Sequence, residues 1–461
     1  MSDAERFKAL NASRIDQIPQ WQALDPAVRK AVRVVATVLP FRTNQYVIDE
    51  LIDWDRVPED PIFQLTFPQR GMLSDEDFAT MAALVDGDAE RSELEAEANR
   101  IRATLNPHPA GQMTDNVPEF DSEPIDGVQH KYRETMLFFP NRGQTCHAYC
   151  TFCFRWAQFV GDKANRFGTD DADTVSSYVA ADTEISDVLF TGGDPLIMKT
   201  RVFRRYVEPL LEIEHLSTIR IGTKAVGYWP QRFVTDDDAD DLLRLFDEVI
   251  AAGKHLSVMG HYTHPVELQT EVSQTATRLI LATGANIRMQ SPVLRHINDD
   301  ADTWADLWRT GVRLGCVPYY MFVVRDTGAR QYFEIPLAET HEIFSDAYRQ
   351  VSGLARTVRG PSMSAHPGKV RVVGTTTSGD DKWFVLEYLQ ARDPSWVGRP
   401  FFAKFDPTAV WFDDLRPARP EDRPFFGEPK SRRRVPDSRR VAKIDIVPRP
   451  KERDARAPTR K

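Results

Sequence analysis

The sequence predicts an α/β fold in which parallel strands alternate with crossover helices. From about residue 126, short apolar runs alternate with helical stretches, and this strand–helix–strand order implies parallel strands joined by crossover helices. Polar or glycine-rich residues recur where the runs end. In a βα barrel those ends form the active-site face. The pattern therefore favours a βα barrel, with a doubly wound sheet as the alternative, and 461 residues are enough for a large core.

The individual elements follow from periodicity. The predicted strands are Thr135–Phe139, Asp187–Thr191, Thr218–Thr223, His255–Gly260, Asn286–Gln290 and Val317–Val324. The predicted helices between them are Thr169–Ala181, Lys199–Glu212, Asp236–Ala252, Val266–Thr283 and Ala301–Leu314.

The chain ends differ from this central part. Residues 1–125 contain Pro26–Leu39 and Asp75–Leu105, whose apolar spacing predicts a helical N-terminal region. Residues 386–427 are assigned as a C-terminal extension. Residues 428–461 carry 13 Lys and Arg against 5 Asp and Glu, and few large apolar residues. They predict a disordered basic tail, and contact with nucleic acid or an acidic partner is the less favoured alternative.

Composition also bounds the compartment. No apolar stretch of 18 residues and no secretion signal occur, so we expect no membrane span and a cytoplasmic location. Four cysteines with uneven spacing do not predict a disulfide framework. Cys316 stands apart from the other three, and we interpret it as a buried structural thiol.

The most specific motif is Cys146, Cys150 and Cys153, with C-x3-C-x2-C spacing. Three thiolates can hold a [4Fe-4S] cluster but leave one iron open. An open iron is what S-adenosylmethionine (SAM) needs for chelation by its amino and carboxylate groups, so the spacing predicts radical chemistry. The alternatives are a zinc knuckle, which needs a fourth ligand, and chance clustering of buried thiols.

A second motif is Gly192-Gly193-Asp194, at the end of a predicted strand. The glycines permit close approach of a ligand, and the acid can accept from the SAM ammonium group. Its alternative is an ordinary βα turn. The same barrel face is predicted to gather further polar residues from other strand ends: Thr223-Lys224, His261, Gln290-Ser291 and Arg325-Asp326.

Taken in order, these motifs resemble the lysine 2,3-aminomutase family of radical SAM enzymes over roughly residues 100–385. The matching segments are Cys146–Cys153, Gly192–Leu196, Arg220–Thr223, Pro230–Arg232, His261–Pro265, Gln290-Ser291 and Pro318–Tyr320. The resemblance implies a partial (βα)6-type radical SAM barrel over residues 126–385 that holds a [4Fe-4S] cluster, SAM and pyridoxal phosphate (PLP). The implied reaction moves an amino group between neighbouring carbons of a small amino acid.

The resemblance also implies roles for single residues. Arg155 would pair with the substrate α-carboxylate, Lys224 would lie near the PLP phosphate, and Gln290 and Ser291 would contact a cofactor. Lys369 stands where the family has its PLP lysine, but only one glycine precedes it, so the phosphate cradle is altered. Its alternative is a surface lysine in a turn.

Partners are implied as well. The resemblance suggests an electron donor such as flavodoxin or ferredoxin and allows a homo-oligomer. The C-terminal cysteines that many lysine aminomutases use for an intersubunit zinc are absent from this sequence, so no such zinc is expected.

The substrate pocket departs from the family. Lysine-acting members have two aspartates for the distal ammonium, and an ungapped count puts Arg325 and Ser362 at those positions. An arginine there would repel an ammonium and attract an anion, which predicts a glutamate-like substrate. A one-residue shift would place Asp326 there instead.

Other functions stay open. An enzyme of this fold could act on a lysine of a protein partner or work without PLP. An iron–sulfur electron-transfer protein or a nucleic-acid-binding protein is the alternative from another class, for which the basic tail is the only argument.

Overall fold

The computed structural model describes residues 7–161 and 166–427, so the predicted disordered tail lies outside the described residues. The N-terminal part is mainly helical, as predicted. Its helices are α1 (Pro19–Ala23), α2 (Pro26–Val38), α3 (Pro61–Thr66), α4 (Asp75–Asp86) and α5 (Arg91–Thr104). Its short strands are β1 (Ala9–Asn11), β2 (Arg42–Asn44), β3 (Glu119–Phe120) and β4 (Glu123–Pro124).

Local signals explain the N-terminal helices. Helix α2 begins with Asp25 as N-cap, whose carboxylate accepts from Ala27 N at 2.7 Å, and with a proline in its first turn. The predicted segment Asp75–Leu105 is two helices, because α4 ends at Gly87 and Asp88 has a positive φ of 49°.

The central element is an eleven-stranded sheet in which strands from β6 to β12 run parallel. The sheet contains β5 (Val128–Tyr132), β6 (Thr135–Phe138), β7 (Asp187–Phe190), β8 (Thr218–Thr223), β9 (His255–His261), β10 (Asn286–Val293), β11 (Val317–Val323), β12 (Arg359–Ser364), β13 (Gly368–Ser378), β14 (Asp381–Ala391) and β15 (Pro400–Lys404). The strands follow one another in sequence order, from β5 at one edge to β15 at the other.

Helices connect the parallel strands. They are α6 (Ala172–Ala181), α7 (Thr200–Leu211), α8 (Ala225–Tyr228), α9 (Ala239–Ala251), α10 (Glu271–Ala282), α11 (Ala301–Arg313), α12 (Arg330–Phe333) and α13 (Leu337–Arg349). Six strand–helix units therefore lead from β6 to β12. This arrangement confirms the predicted α/β class and the partial (βα)6 barrel.

Antiparallel strands extend the sheet at both edges. Strand β5 pairs antiparallel with β6, and β13, β14 and β15 form an antiparallel extension after β12. The sequence analysis assigned neither these strands nor α13. The predicted boundary between the barrel and the C-terminal extension, at residue 385, falls inside strand β14. It therefore does not coincide with the end of a strand or helix.

Three apolar cores hold the molecule together. The largest lies between the sheet and its helices and contains alternate strand residues such as Ile219 and Ile221. A second joins the N-terminal helices to barrel residues that include Trp156 and Trp229. The third lies under β13–β15. Within the described part of the chain, none of the helices is long and apolar enough to span a membrane.

Candidate active site

The loop that carries the three cysteines follows β6 and is held by the N-terminal part of the chain. Tyr149 N donates to Arg42 O at 2.8 Å, and Thr151 N donates to Leu65 O at 2.9 Å. The Thr151 hydroxyl donates to Gln64 O at 2.7 Å. The N-terminal part therefore fixes the backbone of the cysteine loop at the C-terminal end of the barrel strands.

The donor set of this loop fits an iron–sulfur cluster. Cys146, Cys150 and Cys153 are all free and partly exposed. Burial raises the pKa of Cys150 to about 12 and that of Cys146 well above its usual value, with Asp194 and the other two thiols adding to the rise at Cys146. Among the described residues no three potential ligands surround a single ion. A cubane cluster binds each thiolate through a different iron, so its ligands stand apart and do not meet at one point.

The two glycines after β7 allow the cysteine loop to approach. A Cβ on Gly193 would lie 2.5 Å from both N and O of Thr145, and a Cβ on Gly192 would overlap the Gln144 side chain. Asp194 N donates to Gly143 O at 3.0 Å and to Thr145 O at 2.7 Å. The glycines therefore make room for the segment just before Cys146, and the close approach seen here is between two parts of the chain.

The Asp194 carboxylate ties the ends of β7 and β8 together. It accepts from Leu196 N at 3.0 Å, Thr223 Oγ1 at 2.8 Å, Lys224 N at 2.9 Å and Ala225 N at 3.1 Å. A carboxylate has about four lone-pair sites, so these donors fill them. Burial raises its pKa. The role of Asp194 visible here is to position the β7 and β8 ends.

Lys224 makes a local ion pair. Its Nζ lies 2.6 Å from Glu267 Oε2 and donates to Thr263 Oγ1 and His261 O, both at 3.2 Å. The Glu267 side chain is fully buried. Lys224 therefore compensates a buried carboxylate, and its neighbours differ from those of Lys369.

Gln290 and Ser291 lie on β10, inside the sheet. Gln290 pairs with His261 of β9 and Tyr320 of β11. Ser291 is 1% exposed, and its Oγ lies 3.5 Å from Pro292 O. The structure thus places both residues in the C-terminal half of β10, with Gln290 level with His261, the last residue of β9.

Two arginines converge on Phe154. The guanidinium carbons of Arg155 and Arg325 each lie 5.0 Å from the Phe154 ring centroid, and that of Arg155 is 4.2 Å from Phe139. Arg155 Nη1 and Arg325 Nε are buried without a hydrogen-bond partner in the described part of the chain. Burial lowers the pKa of Arg155 to about 9, and Arg325 lowers it further while Cys153 raises it. The pair presents unused donors beside the cysteine loop.

Asp326, next to Arg325, contacts Asn106 through one side of its carboxylate, while its Oδ1 is buried without a hydrogen-bond partner among the described residues. Burial lowers the pKa of Arg325, and the charge of Asp326 opposes this decrease. Asn106 Nδ2 donates to Asp326 O at 2.6 Å and lies 3.3 Å from Asp326 Oδ2. Ser362 is fully buried, and its hydroxyl lies 3.4 Å from Met321 O on β11. Of the residues counted for the distal pocket, Arg325 is therefore the one that lies with Arg155.

Lys131 on β5 is a site residue that the sequence analysis missed. Its partly buried ammonium donates to Ala365 O, so it links edge strand β5 to the segment between β12 and β13. Burial lowers its pKa well below the usual value, and Arg392, Arg325 and Lys369 lower it further. The sequence signal for this residue was a lysine within the short segment that precedes β6. That signal is weak, because the cations near Lys131 are distant from it in sequence.

Lys369 is the second residue of β13, and its amine lies against Tyr320. Its Nζ lies 4.2 Å from the Tyr320 ring centroid. Burial lowers its pKa to about 7, Arg220 and Arg359 add to the decrease, and Asp187 opposes it. An amine with this pKa is largely unprotonated just above neutral pH and can attack a carbonyl.

The single glycine before Lys369 has a packing role. A Cβ on Gly368 would overlap Gln390 O and would lie 2.7 Å from Tyr388 Cδ1, both on β14. Pro367 has no N–H to offer. The segment therefore resembles a tight strand start more closely than a backbone phosphate cradle.

Comparison with known proteins agrees with this geometry. No protein-family model matches the chain. An Aquifex aeolicus protein provisionally named L-lysine 2,3-aminomutase is 32% identical over 400 residues, which are 87% of this chain and 92% of that protein. The L-lysine 2,3-aminomutase of Haemophilus influenzae is 30% identical over 54% of this chain and 72% of its own length.

Other likenesses are more distant. The L-lysine 2,3-aminomutase of Clostridium subterminale is 26% identical over 53% of this chain and 56% of its own length. A solved radical SAM methyltransferase from Sphaerobacter thermophilus has a TM-score of 0.35 at 16% identity, over 50% of this chain and 68% of that one. The match to the Aquifex protein runs nearly end to end in both chains. On that similarity, the chain belongs to the lysine 2,3-aminomutase family.

Proposed function

We propose that this radical SAM enzyme is a PLP-dependent aminomutase that moves an amino group between Cα and Cβ of an amino acid with an anionic side chain. The observation that carries the proposal is one set of cationic groups inside the barrel: the buried Arg155 and the partly buried Arg325, Lys131 and Lys369. The amine has the low pKa that carbonyl attack needs. The guanidinium groups have unused donors for carboxylates.

Cys146, Cys150 and Cys153 are proposed to hold a [4Fe-4S] cluster whose open iron binds SAM. When bound, the reduced cluster supplies the electron that cleaves SAM to a 5′-deoxyadenosyl radical. The Gly192-Gly193-Asp194 turn would position this loop, since its glycines admit the segment before Cys146 and Asp194 fixes the β8 end. A flavodoxin or ferredoxin is the proposed electron donor.

Lys369 is proposed as the residue that binds PLP covalently. When bound, PLP supplies the π system through which the amino nitrogen migrates. The environment of Lys369 supports this assignment, because a partly buried amine with a lowered pKa next to a tyrosine ring is not what a surface lysine would present. Burial also excludes water from the radical step.

Arg155 and Arg325 are proposed to bind the two carboxylates of the substrate. Both lie against Phe154, so an amino acid with a short acidic side chain can reach from one to the other. The charged neighbours that lower the pKa of Lys131 are all cations, and one of them is Arg325. Asp326 offsets part of the charge of Arg325, but the cations in this region outnumber it, so a substrate ammonium would be repelled and a carboxylate attracted.

The test is an anaerobic assay of the reconstituted enzyme with glutamate and lysine in competition, with β-amino acids measured by mass. We expect glutamate to be the preferred substrate and Arg325→Gln to lower its turnover selectively. Arg349→Gln, at an exposed position on α13, is the matched control and should change nothing. Efficient β-lysine formation that survives Arg325→Gln would contradict the substrate assignment. A cluster without bound PLP would favour a PLP-free reaction instead.

A further inference from the structure

Two arginines near the start of barrel strands have no carboxylate partner among residues 7–161 and 166–427. Arg288 on β10 and Arg359 on β12 place their guanidinium carbons 5.3 Å and 4.5 Å from the Tyr319 ring centroid. In the part of the chain that the structure describes, neither guanidinium group makes an ion pair or donates a hydrogen bond. Arg220 on β8 differs, because it is paired with Asp187 at 2.7 Å. Arg288 and Arg359 therefore have donors free for an anion.

Arg359 and Lys369 both contact the aromatic ring of Tyr320. Its guanidinium carbon lies 4.6 Å from the Tyr320 ring centroid, and the Lys369 Nζ lies 4.2 Å from the same centroid. Tyr320 and Tyr319 meet edge to face with centroids 4.3 Å apart. The rings of Tyr319 and Tyr320 thus contact the Lys369 amine and the guanidinium groups of the two arginines.

Burial, the charge of Arg220 and the charge of Arg359 lower the pKa of Lys369, so the Arg359 guanidinium lies near the amine. An amine and guanidinium groups around one aromatic pair suit a ligand whose ring carries an aldehyde and, on the neighbouring carbon, a phosphate-bearing methylene. An amine takes the carbonyl, and guanidinium forks bind phosphate oxygens in pairs. The backbone just before Lys369 is poorly suited to bind the phosphate, because Pro367 lacks an N–H and Gly368 is packed against β14.

We propose that Arg288 and Arg359 form the phosphate subsite of the PLP that Lys369 binds. The inference rests on the proposed function and extends it, because it replaces the altered glycine run with two side chains. Lys224, which sequence comparison placed near the phosphate, is already paired with Glu267.

The test compares PLP with pyridoxal, which has the same carbonyl but no phosphate. Affinity is measured from the visible absorbance of the lysine-bound cofactor, without turnover. Losing charge-assisted hydrogen bonds should weaken PLP binding by about tenfold to a hundredfold in Arg288→Met and in Arg359→Met. Pyridoxal binding should stay unchanged, which also shows that the variants fold. Arg359→Lys should recover part of the PLP affinity.

A third variant, Lys131→Met, tests whether the phosphate binds at Lys131 instead of at the two arginines. The proposal is overturned if both arginine variants keep the ratio of PLP to pyridoxal affinity, or if that ratio falls only in Lys131→Met. Failure of the proposed function looks different: the wild type itself would bind neither compound at Lys369, as judged by borohydride labelling and peptide mapping.

Discussion

Replacing Gly193 with alanine tests how the cysteine loop is held. The added Cβ would lie 2.5 Å from both N and O of Thr145, about half an ångström closer than real Cβ contacts come. Both atoms belong to the backbone, so no side-chain rotation relieves the overlap. Thr145 precedes Cys146 directly, and its carbonyl accepts from Asp194 N at 2.7 Å. The strain therefore falls on the segment that sets the position of the first thiol.

The magnitude follows from overpacking, which costs about 1–3 kcal/mol where the surroundings cannot yield. The cost appears either as a lower stability or as a displaced loop. We therefore expect Gly193→Ala to lower the urea midpoint of the apoprotein, and to lower the iron bound after anaerobic reconstitution. Both quantities are measured on the same preparation.

Gly222 provides the matched control. It lies on the neighbouring strand β8, and its added Cβ would meet Phe190 O at 3.5 Å and Leu189 Cδ1 at 3.7 Å, which are ordinary contacts. Gly222→Ala should keep the wild-type urea midpoint and iron content. If the two alanine variants behave alike in both measurements, the account of the Gly192-Gly193 turn is wrong.

The further predictions concern three charged groups. The rate at which Lys369 binds pyridoxal should rise with pH through about 7, because the amine loses its proton there; stopped-flow absorbance measures this. The unfolded state binds more protons at Lys369 between about pH 7 and 10.5, so wild-type stability relative to Lys369→Met should rise with pH across that window in urea titrations. Arg155→Gln should raise KM for every amino acid substrate, by about a hundredfold, since α-carboxylate binding is common to all. Asp194→Asn should lower apoprotein stability by about 1–3 kcal/mol, because its amide would face the N–H groups of Lys224 and Ala225.

Each of these has a contrary outcome. A pyridoxal rate that is flat between pH 6 and 8 would show that Lys369 does not titrate there. A KM change in Arg155→Gln that is confined to acidic substrates would place Arg155 at the distal end of the pocket. Unchanged urea midpoints in Asp194→Asn would show that the network around this carboxylate is not needed for the folded state.

The barrel strands were predictable because their signals are local. Strand β8 is Thr218–Thr223 in both prediction and structure, since Ile219 and Ile221 alternate with residues that face the lumen. The antiparallel hairpin of β13 and β14 was missed. Its outer half, which includes Thr375–Thr377, is polar and exposed, so it has no apolar alternation.

The site was predictable only in part. The cysteine spacing and the position of Lys369 can be read along the chain, whereas Lys131 depends on Ala365, which is 234 residues away. The convergence of Arg155 and Arg325 on Phe154 likewise needs the fold. Gly368 suggested a remnant of a cradle, yet its packing against Tyr388 is a contact that local sequence does not reveal.

The hydrogen bonds that the cysteine loop donates to the carbonyl groups of Arg42, Gln64 and Leu65 affect when a cluster can be inserted. These partners are separated from Tyr149 and Thr151 by more than 80 residues, and contacts of such sequence separation form late in folding. A nascent chain would present three thiols on an unrestrained segment. We therefore expect cluster insertion to follow docking of the N-terminal helices, so that iron content reports on completed folding of the whole molecule.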